Sequence, residues 1–141
     1  MPTARVVSRK WILISLAVFI GAEVVLGGLV GTVVLRGFVS RPLGLRIELL
    51  LMLASYFVGG LTIGLVSRSV RLLEPAIAAF MAVALTFLYT AFTPLLFFGF
   101  SFSRILVGGG IAFGLALFGA DLGERMAARF GNPASQEYAS R

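Results

Sequence analysis

The sequence predicts an all-α membrane protein, a compact bundle of four transmembrane helices with both termini cytoplasmic. Composition points there first: 59% of the 141 residues are hydrophobic and 13% charged, against roughly half and about a quarter in soluble domains. The mean hydropathy is +1.02. Patterning is the second observation, because the apolar residues gather into four runs at about 11–35, 45–66, 75–93 and 105–126, divided by polar or turn-forming stretches. The third is where the cations fall. They stand at the ends of these runs, as topology signals do. The chain divides into a single transmembrane domain over 1–130 and a short polar tail, 131–141, expected to be disordered.

Helix 1 opens behind Arg5, Arg9 and Lys10, with Trp11 placed as an interfacial anchor. This basic front resembles a signal peptide, with Ala22 as a conceivable cleavage point, but apolar residues continue to Leu35 and favour an uncleaved helix. Arg36-Gly37 ends it, and Ser40-Arg41-Pro42-Leu43-Gly44 supplies turn chemistry before helix 2. Arg46 and Glu48 stand two apart, do not face one another on a helix, and are expected to form an interfacial collar.

Ser67 to Arg71 is short enough to require an antiparallel return. Glu74-Pro75 then starts helix 3, since Pro suits the first turn and a carboxylate is stabilised at the positive end of the helix dipole. Pro94 ends or kinks that helix. The Phe-rich stretch from Leu95 to Ser103 is expected to lie as a loop in the outer interface, with Ser103 capping helix 4. On helix 4, Asp121 and Arg125 have the spacing and order of a local ion pair.

Four spans put both termini on one side. Arg5, Arg9, Lys10, Arg68, Arg71, Arg125, Arg129 and Arg141 share that side, eight against four (Arg36, Arg41, Arg46 and Arg104), so the termini are expected inside. The expected location is the cell (inner) membrane, multi-pass. The net charge of +6 is thereby explained as a topology signal, without nucleic acid as a partner. The expected partners are the lipid bilayer, anionic lipids at the cytoplasmic face, and further copies of the chain or other subunits.

Helices in lipid associate by close packing, which small residues one turn apart permit. Gly27 and Gly31 on helix 1, Gly60 and Gly64 on helix 2, and Gly110 and Gly114 on helix 4 are the candidate packing positions. Tyr56, Gly60, Gly64 and Ser67 share one face of helix 2.

The chain has no Cys and no His, which removes disulfides, thiolate nucleophiles and the commonest metal ligand. No paired carboxylates or phosphate-binding loop replace them, so neither an enzyme nor a cofactor is expected. Glu23, deep in helix 1, is the candidate intramembrane polar site, with Tyr56 of helix 2 at about the same depth as a hydrogen-bond donor. An isolated charge at the bilayer centre costs roughly 2.5 to 3.5 kcal/mol on insertion scales. The carboxyl should therefore be neutral, bonded or open to water. The primary expectation is a helix-packing subunit or scaffold of a membrane assembly. The alternative is a proton- or cation-coupled transporter or channel-like oligomer using Glu23. The string Ala22-Glu23-Val24 resembles the glutamate motif of small multidrug resistance transporters, over a few residues, and that resemblance implies transport. The chain departs from those transporters in its greater length, its clear charge bias and the lack of Trp in its later helices, and is not assigned to them.

Overall fold

The computed structural model describes residues 7–30, 41–91 and 102–140. Within them the protein is helical, with no strand. Helix α1 (Arg9–Glu23) continues directly into a π-helical segment, Val24–Val30. It is followed by α2 (Arg41–Val66), α3 (Leu73–Ala91), α4 (Phe102–Arg129) and a short α5 (Pro133–Ala139). Two helical stretches are long and apolar enough to cross a membrane, Arg9–Gly28 and Ile105–Arg129. Leu50–Val66 and Leu73–Leu88 are shorter apolar stretches.

The boundaries differ from the expected ones in instructive ways. Arg41-Pro42 opens α2 instead of closing a turn, because a proline in the first helical turn removes an N–H that has no helical partner anyway. Phe102 and Ser103 lie inside α4, so Ser103 does not cap it. Gly31 to Leu35, Pro94 and the Phe-rich stretch up to Ser101 lie outside the described residues, as do the side chains of Arg46 and Glu48.

The tail expected to be disordered carries α5. Gly131 takes a φ of +90°, a conformation that favours glycine, and the chain closes α4 there. The Asn132 N–H donates to the Ala127 carbonyl at 3.1 Å and the Gly131 N–H to the Ala128 carbonyl at 3.2 Å, the paired bonds of a Schellman ending. Asn132 then stands at the N-cap of α5 with Pro133 at its first position. At seven residues this helix is too short to persist alone, so its docking contacts hold it.

Helix α1 packs on α2 and α3, and α4 packs on the same two from the other side; among the described residues α1 and α4 do not meet. The helices therefore run round the bundle in the order α1, α2, α4, α3, and each of the parallel pairs, α1 with α3 and α2 with α4, is adjacent. The interior is made of small side chains. Ala78, Ala79, Ala82, Ala112 and Ala116 are buried around Phe19 and Tyr56. Outside, Leu13, Val24, Leu50, Val66, Val107 and Phe118 are more than half, or close to half, exposed along with other large apolar residues. Small residues inside and large apolar ones outside invert the soluble pattern.

Candidate functional site

Helices α2 and α4 approach one another backbone to backbone. Gly60 lies against the backbone of Ala116, and Gly64 against the Ala120 carbonyl and the Gly123 Cα. In return Gly119 lies against the Phe57 carbonyl and Gly123 against the Leu61 carbonyl. Partner numbers rise together along both helices, so this is a parallel contact between two Gly-x-x-x-Gly stretches, backbone on backbone. Tyr56, Gly60, Gly64 and Ser67 are all buried. Two further glycines seat rings: a Cβ at Gly59 would fall 2.5 Å from Phe19 Cε1, and one at Gly109 would fall 2.6 Å from Phe80 Cδ2.

The remaining packing candidates stand elsewhere. Gly110 and Gly114 are exposed with open space around them, and so is Gly27; Gly31 lies outside the described residues. The reason is rotational. Gly110 and Gly119 are nine residues apart, which at about 100° per residue is half a turn away round the helix. Only one of the two glycine pairs on α4 can face α2, and it is Gly119 with Gly123, which the sequence reasoning passed over.

Glu23 is the last residue of the α-helical part of α1 and is partly exposed. Antiparallel packing that sets Phe19 on Gly59 brings Glu23 level with Tyr56, one turn along. The rings of Phe19 and Tyr56 pack tilted with centroids 5.7 Å apart. Tyr56 is 1% exposed. The bond expected between Glu23 and Tyr56 is not formed: the Tyr56 hydroxyl has no hydrogen-bond partner among the described residues.

A second polar cluster, absent from the sequence reading, closes the end where α1 begins. Glu124, fully buried, accepts the Arg71 backbone N–H at 3.1 Å and the Ser135 hydroxyl at 2.6 Å. It thereby ties α4, the α2–α3 connection and α5 together. The Asn132 amide donates to the Ser67 carbonyl at 3.0 Å. Arg71 bonds Glu74 at 2.8 Å and lies 4.6 Å from the Trp11 ring centroid, a cation–π contact that fixes the start of α1. The Gly131-Asn132-Pro133 punctuation was the signal that could have found this docked end.

Asp121 takes the Arg125 guanidinium at 2.9 Å, as their spacing predicts, and also the Tyr138 hydroxyl at 2.6 Å. That hydrogen bond, then burial, then the negative charge of Asp121 hold the Tyr138 phenol above its ordinary pKa of 10.0. The protonated phenol is the bonded form, so its contribution is whole below the unfolded value and is lost as pH rises through the raised folded one. Tyr138→Phe should lower stability by about 1 kcal/mol near neutrality. Thermal melts from about pH 8 to about pH 11 should show the variant losing less with rising pH than the parent; parallel curves would contradict the role of this bond.

Among the described residues no group of His, Cys, Asp and Glu is arranged to hold a metal ion. Comparison with protein-family models, with curated proteins and with solved structures finds no match.

Proposed function

We propose that this chain is a small integral membrane protein that crosses the bilayer four times, with both termini cytoplasmic, and serves as a helix-packing subunit of an oligomer or larger assembly. The observation that carries this reading is the inside-out distribution of size, with alanine and glycine in the interior and large apolar side chains outside. Such an interior suits helices held by close approach in lipid. In α2 and α3 the apolar stretches Leu50–Val66 and Leu73–Leu88 extend about 26 Å and about 24 Å at 1.5 Å per residue, a little short of a hydrocarbon core of roughly 30 Å, and the full helices, Arg41–Val66 and Leu73–Ala91, reach about its width. Arg9, Lys10, Arg68, Arg71, Arg125 and Arg129 gather at the end carrying α5, which favours that end as the cytoplasmic one.

Assembly is the functional part of the proposal. Gly110 and Gly114 leave a shallow, open face on α4, next to exposed Val107 and Ile111, where a neighbouring helix can approach. Gly110→Leu with Gly114→Leu should leave the protomer folded, because each new side chain enters open space. The same pair should lower the mass of the particle purified in mild detergent, read by light scattering, from a multiple of 15.0 kDa or a fixed complex to the single chain. A parent protein that is monomeric and partnerless when taken from native membranes would overturn the subunit reading. A reporter active only outside the cytoplasm, fused after Arg141, should give no signal; strong activity would reverse the topology.

A further inference from the structure

Resting on the membrane-crossing reading, we propose that the end of the bundle where α1 begins holds an anionic phospholipid, with its phosphate among Arg9, Lys10, Arg68 and Arg71. Two segments distant in the chain meet there. Arg71 lies 4.6 Å from the Trp11 ring centroid, so the α2–α3 connection, which carries Arg68, stands beside the first turn of α1, which carries Arg9 and Lys10. A cavity of about 170 Å³ joins the same two segments, lined by Val7, Val70, Leu72, Leu73 and Glu74. It is mostly apolar, with Glu74 as an acceptor in its wall, and has room for the terminal glycerol of phosphatidylglycerol.

The donors at this end exceed the acceptors the protein supplies. Arg9, Lys10 and Arg68 are exposed and, among the described residues, enter no ion pair. Arg71 bonds Glu74 through one Nη, but its Nε is buried with no hydrogen-bond partner among the described residues. A guanidinium presents forked donors that match a phosphate, and this one has donors left over. The neighbouring carboxylates are engaged, Glu74 by Arg71 and Glu124 by the Arg71 N–H and the Ser135 hydroxyl. Cations outnumber these acids, so the local charge favours an anion. Depth selects a lipid over a free phosphate. Around the level of Trp11 the surface changes character, with Arg9, Lys10, Arg68 and Ser69 exposed beyond the helix ends and Leu13, Ile14 and Val66 exposed along the helices. Tryptophan suits the headgroup level, and a phosphate joined to acyl chains meets both surfaces at once.

Trp11 is the single tryptophan of the chain, so its fluorescence reads this site directly. With the protein in phosphatidylcholine bilayer discs, phosphatidylglycerol brominated near the top of its chains should quench Trp11 at a mole fraction roughly tenfold lower than phosphatidylcholine brominated at the same place. Lys10→Gln and Arg68→Gln should each reduce that preference about fivefold, the usual worth of one cation at an anionic surface. Both side chains are exposed, so these variants should fold. Arg125→Gln, which alters the pair with Asp121 on α4, should leave the preference intact, because α1 and α4 do not meet among the described residues. Equal quenching by the two brominated lipids would overturn the proposal, and so would a preference lowered as much by Arg125→Gln as by Arg68→Gln. Loss of the preference on adding excess glycerol phosphate would assign the site to a soluble anion and overturn it as well. In each of these cases quenching by lipid persists and the membrane-crossing reading stands. No quenching by either brominated lipid would instead place Trp11 outside the bilayer and remove that reading together with the lipid site.

Discussion

Gly64→Leu is expected to abolish recovery of folded protein. The first carbon of any side chain at this position falls onto the Ala120 carbonyl and within 3.0 Å of the Glu124 backbone nitrogen and the Gly123 Cα. These are backbone atoms of α4, so rotamer changes cannot relieve the collision, and the two helices must separate. Overpacking a well-filled interior costs typically about 1–3 kcal/mol. Here the cost is larger, because the Gly119 and Gly123 contacts on the same seam are lost together. Gly64→Ala should already lower the melting temperature, and Gly119→Leu should match Gly64→Leu, since its own Cβ would meet the Phe57 carbonyl. Yield of monodisperse protein in mild detergent measures this, with Gly21→Leu, whose first carbon meets nothing within 4 Å, as the control expected to behave as the parent. A Gly64→Leu protein recovered at parental yield and melting temperature would show that α2 and α4 do not meet backbone to backbone.

Glu124→Ala is expected to release α5 and destabilise the whole end of the bundle. The change leaves the Arg71 N–H and the Ser135 hydroxyl without their acceptor in a buried setting, at about 1–3 kcal/mol for each buried group left unsatisfied. It also opens a cavity between α4, α5 and the α2–α3 connection. Because α5 is held by docking, the loss should appear as rapid proteolysis between Gly131 and Tyr138 and as faster amide exchange across residues 134–139. Glu124→Gln keeps the shape and one acceptor oxygen, so its effect should be the smaller of the two. Equal protection of α5 in the parent and in Glu124→Ala would remove Glu124 from its linking role. Tyr138→Phe, by comparison, takes away one bond at a partly exposed position.

How much of this was legible in advance depended on whether a feature is local. The helical character of the four apolar runs and the ion pair of Asp121 with Arg125 follow from residues within a few positions of one another. The start of α3 lies within two residues of the expected Pro75, whereas Pro42 and Phe102 fell inside helices, and the ends expected at Arg36-Gly37 and Pro94 lie outside the described residues. The ordered tail was missed because α5 owes its existence to Glu124 and Asp121. Those bonds join residues eleven and seventeen positions apart, across a turn that reorients the chain. Glu23 and Tyr56 could be placed at a common depth by counting residues, but whether the hydroxyl bonds the carboxyl depends on side-chain direction, which counting does not supply.

By itself the sequence determined a helical protein with apolar segments, cations at the segment ends, no cysteine or histidine chemistry and glycines one turn apart, because each of these is a property of composition or of short spacing. Only the tertiary structure decided which glycines touch. Gly110–Gly114 and Gly119–Gly123 have the same spacing on the same helix, and a half-turn about the helix axis separates the pair that seats α2 from the pair left open. Rotation about that axis is chosen by the sum of contacts with neighbouring helices, here Ala116 and Ala120 against Gly60 and Gly64. The same docking buries Glu124 beside Arg71 and Ser135, and no spacing along the chain encodes that meeting.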